Sequence, residues 1–66
     1  MTYRVRIKVG YDFYIGKDKR NEPTIVTHKH AAEFATYEDA QAFRQQFIDS
    51  EEDGKEYRAR KTEVTL

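Results

Sequence analysis

Two histidines, His28 and His30, flank Lys29 within a stretch that begins with the β-branched run Thr24-Ile25-Val26-Thr27. On an extended strand, residues two apart point to one side. Two imidazoles so placed are the beginning of a chelating pair for a transition metal. Glu33 adds a third ligand only where the strand breaks, because it falls on the opposite face. Solvated histidines at the edge of a core account for the same residues, and neither a metal nor any other cofactor is expected. Nucleophilic chemistry finds less support. The chain contains no cysteine, and its only serine, Ser50, lies among acids far in sequence from both histidines. No glycine-rich phosphate loop occurs. No catalytic residue is assigned, and the chain is read as something other than an enzyme.

Charge offers a second chemistry. The total is zero, but the signs are segregated along the chain. Residues 1–30 carry seven Lys/Arg against three Asp/Glu, residues 31–54 one against seven, and residues 55–66 four against two. Arg4, Arg6 and Lys8 alternate with apolar residues and so share one strand face. Arg58 and Arg60 are expected to join them from a later strand. Lys19 and Arg20 stand in a turn close to the aromatics Tyr11, Phe13 and Tyr14. A basic sheet with aromatic neighbours suits phosphate contacts and insertion of a ribbon into a groove of nucleic acid. The candidate nucleic-acid contacts are Arg4, Arg6, Lys8, Lys19, Arg20 and Arg58. Zero net charge argues against this as the main role, because dedicated nucleic-acid modules are basic overall. Asp49, Glu51 and Glu52 fall at the C-terminal end of a predicted helix, where the helix dipole disfavours acid. A local rule broken in this way points mildly to function.

The elements that would position these groups follow from periodicity. From Thr2 to Ile15 the odd positions Tyr3, Val5, Ile7, Val9, Tyr11, Phe13 and Ile15 are apolar. The even positions up to Asp12 are polar or glycine. That is the period of a strand with one wet and one buried face. Gly16 to Pro23 reads as a turn, and Thr24 to Phe34 as a second strand. Its phase is less clean, and a bulge would decide whether His28 and His30 face inward. Thr36 suits a helix N-cap, with Glu38 and Asp39 in the first turn. The helix runs to about Ser50 with Tyr37, Ala40, Phe43, Phe47 and Ile48 on one stripe. Gly54 supplies a permissive turn. Lys55 to Leu66 reads as a charged third strand.

These elements predict one α+β domain over 1–66, with ββαβ order. The sheet is expected to have three antiparallel strands in the order 2-1-3, with one helix on one face and a long hairpin between the first two strands. A helix of about fourteen residues spans about 21 Å, whereas a strand of about thirteen spans about 43 Å. The helix cannot cover the whole hairpin. Either the tip stands out as an apolar arm, or a break at Gly10 folds it down over the core.

The arm carries the leading functional expectation. Tyr11, Phe13, Tyr14, Ile15 and Ile25 form the candidate protein-binding surface of a small non-enzymatic module. Burying such a surface against a second copy, through the arm or a sheet edge, makes a homodimer the expected assembly. The protein partner itself cannot be named from sequence, and nucleic acid is the alternative partner. In size, charge and lack of catalytic groups the chain resembles small accessory or inhibitor proteins of phages and mobile elements, in general character and in no particular motif. Arg4, Arg6 and Lys8 interrupt any signal-peptide run, and no stretch approaches the ~18 apolar residues of a membrane span. Membrane partners are therefore not expected, and a cytoplasmic location is.

Overall fold

The computed structural model describes residues 2–8, 12–50 and 53–66. The elements are β1 (Arg4–Ile7), β2 (Phe13–Lys17), β3 (Pro23–Thr27), a 3-10 turn (His28–His30), α1 (Tyr37–Asp49), α2 (Lys55–Lys61) and β4 (Thr62–Thr65). The strands form one antiparallel sheet in the order β3-β2-β1-β4. The α+β class is as expected. Its details differ in three places. First, the strand expected over 24–34 ends at Thr27, where the 3-10 turn begins.

Second, the single strand expected over 2–15 is two strands. β1 and β2 lie antiparallel, with Arg6 opposite Tyr14. Residues directly opposite in such a pair share a face, and these two are an even number of positions apart. The apolar phase therefore runs unbroken from one strand into the other, and periodicity alone cannot see the reversal. Ile15, expected on a projecting arm, is fully buried. Gly10, where the break was expected, lies outside the described residues.

Third, the charged strand expected over 55–66 is a helix followed by a shorter strand. Lys55-Glu56-Tyr57-Arg58-Ala59-Arg60-Lys61 is composed largely of good helix formers. Gly54 precedes it at φ 88°, in the left-handed region that glycine tolerates. Its C=O accepts from Arg58 N–H at 2.9 Å. Thr62 then switches to extended backbone, and β4 pairs with β1 from Ile7–Thr62 through Arg4–Thr65.

α1 starts where its cap residue dictates. Thr36 Oγ1 accepts from Asp39 N–H at 3.2 Å, meeting one of the four orphan donors of a helix N-terminus. The helix buries Ala40, Phe43, Phe47 and Ile48. Phe43 and Phe47 meet Val5 and Ile15 in the core, with Ile7, Ala32, Phe34 and Val64 packed around them. Tyr37, expected on the same stripe, is mostly exposed and meets Tyr3 edge to face at 6.0 Å.

The connection from β3 to α1 passes through the sheet. Residues Ala32 and Phe34 fill the gap where β1 and β2 part. Ala32 N–H donates to Ile15 C=O at 3.2 Å, and Phe34 exchanges two bonds with Tyr3 at 2.8 and 2.9 Å. Just before this, the chain crosses β2 at Gly16. A Cβ there would lie 2.6 Å from His30 O and 2.9 Å from a Val26 methyl. Val26 lies opposite Tyr14, on the face away from α1. The Phe34 ring ends on the other side, 5.1 Å from the Phe43 ring.

Candidate protein-contact groove

α1 lies against β1, β4 and part of β3, yet the middle of β3 stays open. On the helix-bearing face Ile25 stands opposite Ile15, yet Ile15 is 0% and Ile25 54% exposed. Beside it α2 presents Tyr57, 57% exposed. Ile7, Ile25, Phe47, Tyr57, Arg58, Lys61 and Thr62 line a groove of about 230 Å³. It shares Ile25, Phe47 and Arg58 with a wider cleft of about 770 Å³ between α1 and the start of β3. Glu22, Gln45, Gln46 and Asp49 give that cleft a polar rim. An apolar floor within a polar rim is the general anatomy of a protein-contact site.

Arg58 sets the wall between groove and cleft. Its guanidinium lies 4.3 Å over the Phe47 ring. Nη1 donates to Phe47 C=O at 2.6 Å and to Ser50 Oγ at 2.5 Å. Ser50 Oγ itself donates to Phe47 C=O at 2.8 Å. The one serine is thus engaged in finishing α1. This also accounts for acid at that helix end: Arg58 supplies the cation the dipole asks for, and Lys55 stands 4.0 Å from Asp49. Glu51 and Glu52 lie outside the described residues.

Of the residues named from sequence for protein contact, Ile25 lines both groove and cleft. Phe13 lies on the same face as Ile15 and is 39% exposed. Tyr14 is half-buried on the opposite face, between Arg6 and Val26. Ile15 belongs to the core and offers no surface. Tyr11 lies outside the described residues. Tyr57, Ile7 and Phe47, which also line the groove, are not among the residues the sequence points to. Tyr57 was legible as an apolar residue in a charged segment, but reading that segment as a strand hid where it points.

The basic set is divided. Arg4 and Arg6 share the face away from α1, as expected. Each meets a carboxylate: Arg4 Nη2 lies 2.9 Å from Glu33 Oε1, and Arg6 Nη1 3.9 Å from Glu63 Oε1. Lys8 is exposed at the end of β1, and its N–H donates to Lys61 C=O at 2.8 Å. Lys19 and Arg20 are exposed in the β2–β3 turn, where Asp18 Oδ1 accepts from Arg20 and Glu22 N–H. Arg58 does not join them: it sits on α2 against Phe47, not on the sheet. His28 and His30 are exposed on the 3-10 turn, so the strand spacing that suggested a chelating pair does not apply. His28 Nδ1 lies 4.0 Å from Asp12 Oδ2. Among the described residues no group of three metal-binding side chains comes together, and no helix is long and apolar enough to cross a membrane.

Comparison with protein-family models, curated proteins and solved structures finds no match to this chain.

Proposed function

We propose that the chain is a small non-enzymatic protein-binding module, and that its contact surface is the groove between α2 and β3. One observation carries this reading: Ile25 and Tyr57, both more than half exposed, line the same apolar groove with Ile7 and Phe47. Aromatic and branched apolar side chains gathered in one concavity are the anchors around which interfaces are built.

Capture from a lysate of the native host tests it. Wild type should retain a protein that the Tyr57→Asp and Ile25→Asp variants lose, while both variants keep the wild-type circular dichroism spectrum. Equal capture by all three would remove the groove from consideration. Nucleic-acid binding draws less support. Arg4 and Arg6 have carboxylate neighbours, and Arg58 is committed to α1. Binding through Lys8, Lys19 and Arg20 would weaken steeply with added salt. The groove reading expects no such binding to DNA or RNA at low salt.

A further inference from the structure

Resting on the reading that the chain acts by protein contact, we propose that its β3 edge pairs with the β3 edge of a second copy. The two strands run antiparallel about a two-fold axis at Ile25.

β3 ends the sheet. Its residues Pro23, Thr24, Ile25, Val26 and Thr27 carry no charge, although exposed edges are ordinarily guarded by charge, proline, bulges or cover, and its one proline stands at the strand's first position. The other edge is guarded. Lys8 N–H donates to Lys61 C=O, so the alternation of an antiparallel ladder turns Thr62 C=O outward. Arg44 Nε donates to that oxygen at 3.3 Å. β3 has no such cover among the described residues.

Hydrogen-bond direction then fixes the register. Asp18 N–H donates to Glu22 C=O at 2.9 Å. Bonds from β3 toward β2 therefore fall at its even positions, and Ile25 and Thr27 turn outward. Ile15, opposite Ile25, accordingly points its C=O away from β3 and accepts from Ala32. Only one outward carbonyl is already engaged: the 3-10 turn over His28–His30 takes Thr27 C=O as its first acceptor. With Ile25 opposite Ile25, the two copies exchange both Ile25 bonds. Each Thr27 N–H meets a Pro23 C=O. The position left over sets Thr27 C=O, already bonded, against Pro23, which has no N–H to offer. Every outward donor finds an acceptor, and no amide is stranded. The absent proline donor and the occupied threonine carbonyl are complementary only when the strand meets itself. Just beyond the paired strands, Glu22 of each copy comes opposite His28 of the other.

The test uses the intact chain. Sedimentation equilibrium should show a reversible dimer. Thr27→Pro removes one outward N–H per copy, and Thr27 at φ −80° already has a backbone proline accepts. It should weaken the dimer about thirtyfold, the worth of two ordinary hydrogen bonds. Because the chain lacks cysteine, single cysteines report the register even if Thr27→Pro misfolds. Ile25→Cys should form a disulfide dimer on mild oxidation, since opposed bonded pairs stand about 5.5 Å apart at Cα, within disulfide reach. Thr24→Cys should not, because symmetry offsets its two copies. A monomer at every concentration, a dimer indifferent to a folded Thr27→Pro, or equal crosslinking at 24 and 25 would overturn the proposal. Thr27→Pro leaves Ile7, Phe47 and Tyr57 unchanged. Capture of another protein by Thr27→Pro keeps the groove reading apart from the strand pairing, and capture by a strictly monomeric wild type upholds the groove while the strand pairing falls.

Discussion

Arg44 of α1 and Arg58 of α2 each cap the C-terminal end of the other's helix. Arg44 Nη2 donates to Ala59 C=O at 2.6 Å, and its Nε to Thr62 Oγ1 at 3.0 Å. Arg58 returns the favour at Phe47 C=O, 2.6 Å away. Carbonyls in the last turn of a helix have no partner within it, and a guanidinium satisfies both the bond and the dipole. Seven residues are too few for α2 to stand in water alone. The exchange of arginines is what fastens it to α1.

Removing either arginine should therefore loosen the α1–α2 unit. Arg44→Ala should cost about 2 kcal/mol, the scale of hydrogen bonds from a charged donor into a part-buried site. Arg44→Lys should recover less than half of that, because an ammonium cannot fork between Ala59 and Thr62. Urea unfolding midpoints give both values, and a wild-type midpoint for Arg44→Ala would contradict the capping role.

The two described glycines should fail for different reasons. Gly16→Ala forces a methyl against His30 O, a backbone atom that cannot swing aside, at a cost of about 2 kcal/mol or more. Gly54→Ala meets open space but holds φ +88°, and should cost about 1 kcal/mol. Thermal midpoints of the two variants should fall in that order.

Thr36→Ala should destabilise by about 1 kcal/mol through loss of the Asp39 N–H acceptor. Thr36→Asp should restore most of the loss, since its carboxylate caps the same donor. Helicity at low denaturant, followed by circular dichroism, separates the two.

Phe43→Ala empties the centre of the core and should cost about 3–5 kcal/mol. A domain of this length holds only about 3–10 kcal/mol in total, so the variant should be largely unfolded at room temperature. Tyr37→Ala, on the same helix but mostly exposed, should lose about 1 kcal/mol or less and keep its far-ultraviolet helical signal.

α1 was legible because its signals are local: Thr36 as cap, acid in the first turn, and apolar residues at helical spacing. The turn after β2 was legible for the same reason. The reversal between β1 and β2 was hidden because pairing Arg6 with Tyr14 preserves parity. α2 was misread because its charges suit an exposed edge as well as a helix, and only propensity distinguishes the two. Both errors bear on the site. The split strand took Ile15 from an imagined arm into the core, and the missed helix concealed Tyr57. Ile25 kept its place because a β-branched residue in a short edge strand stays exposed wherever the helix fails to reach.

The segment from Ala31 to Phe34 is borrowed by the sheet as part of its own fabric. Arg6–Tyr14 pairing can form early, but Ile15 and Tyr3 must wait for chain made later to bond with them. A polypeptide severed between His30 and Ala31 would yield a front piece with a seam still open and a rear piece holding the stitch. Neither should fold by itself, and mixing the two should restore the native spectrum.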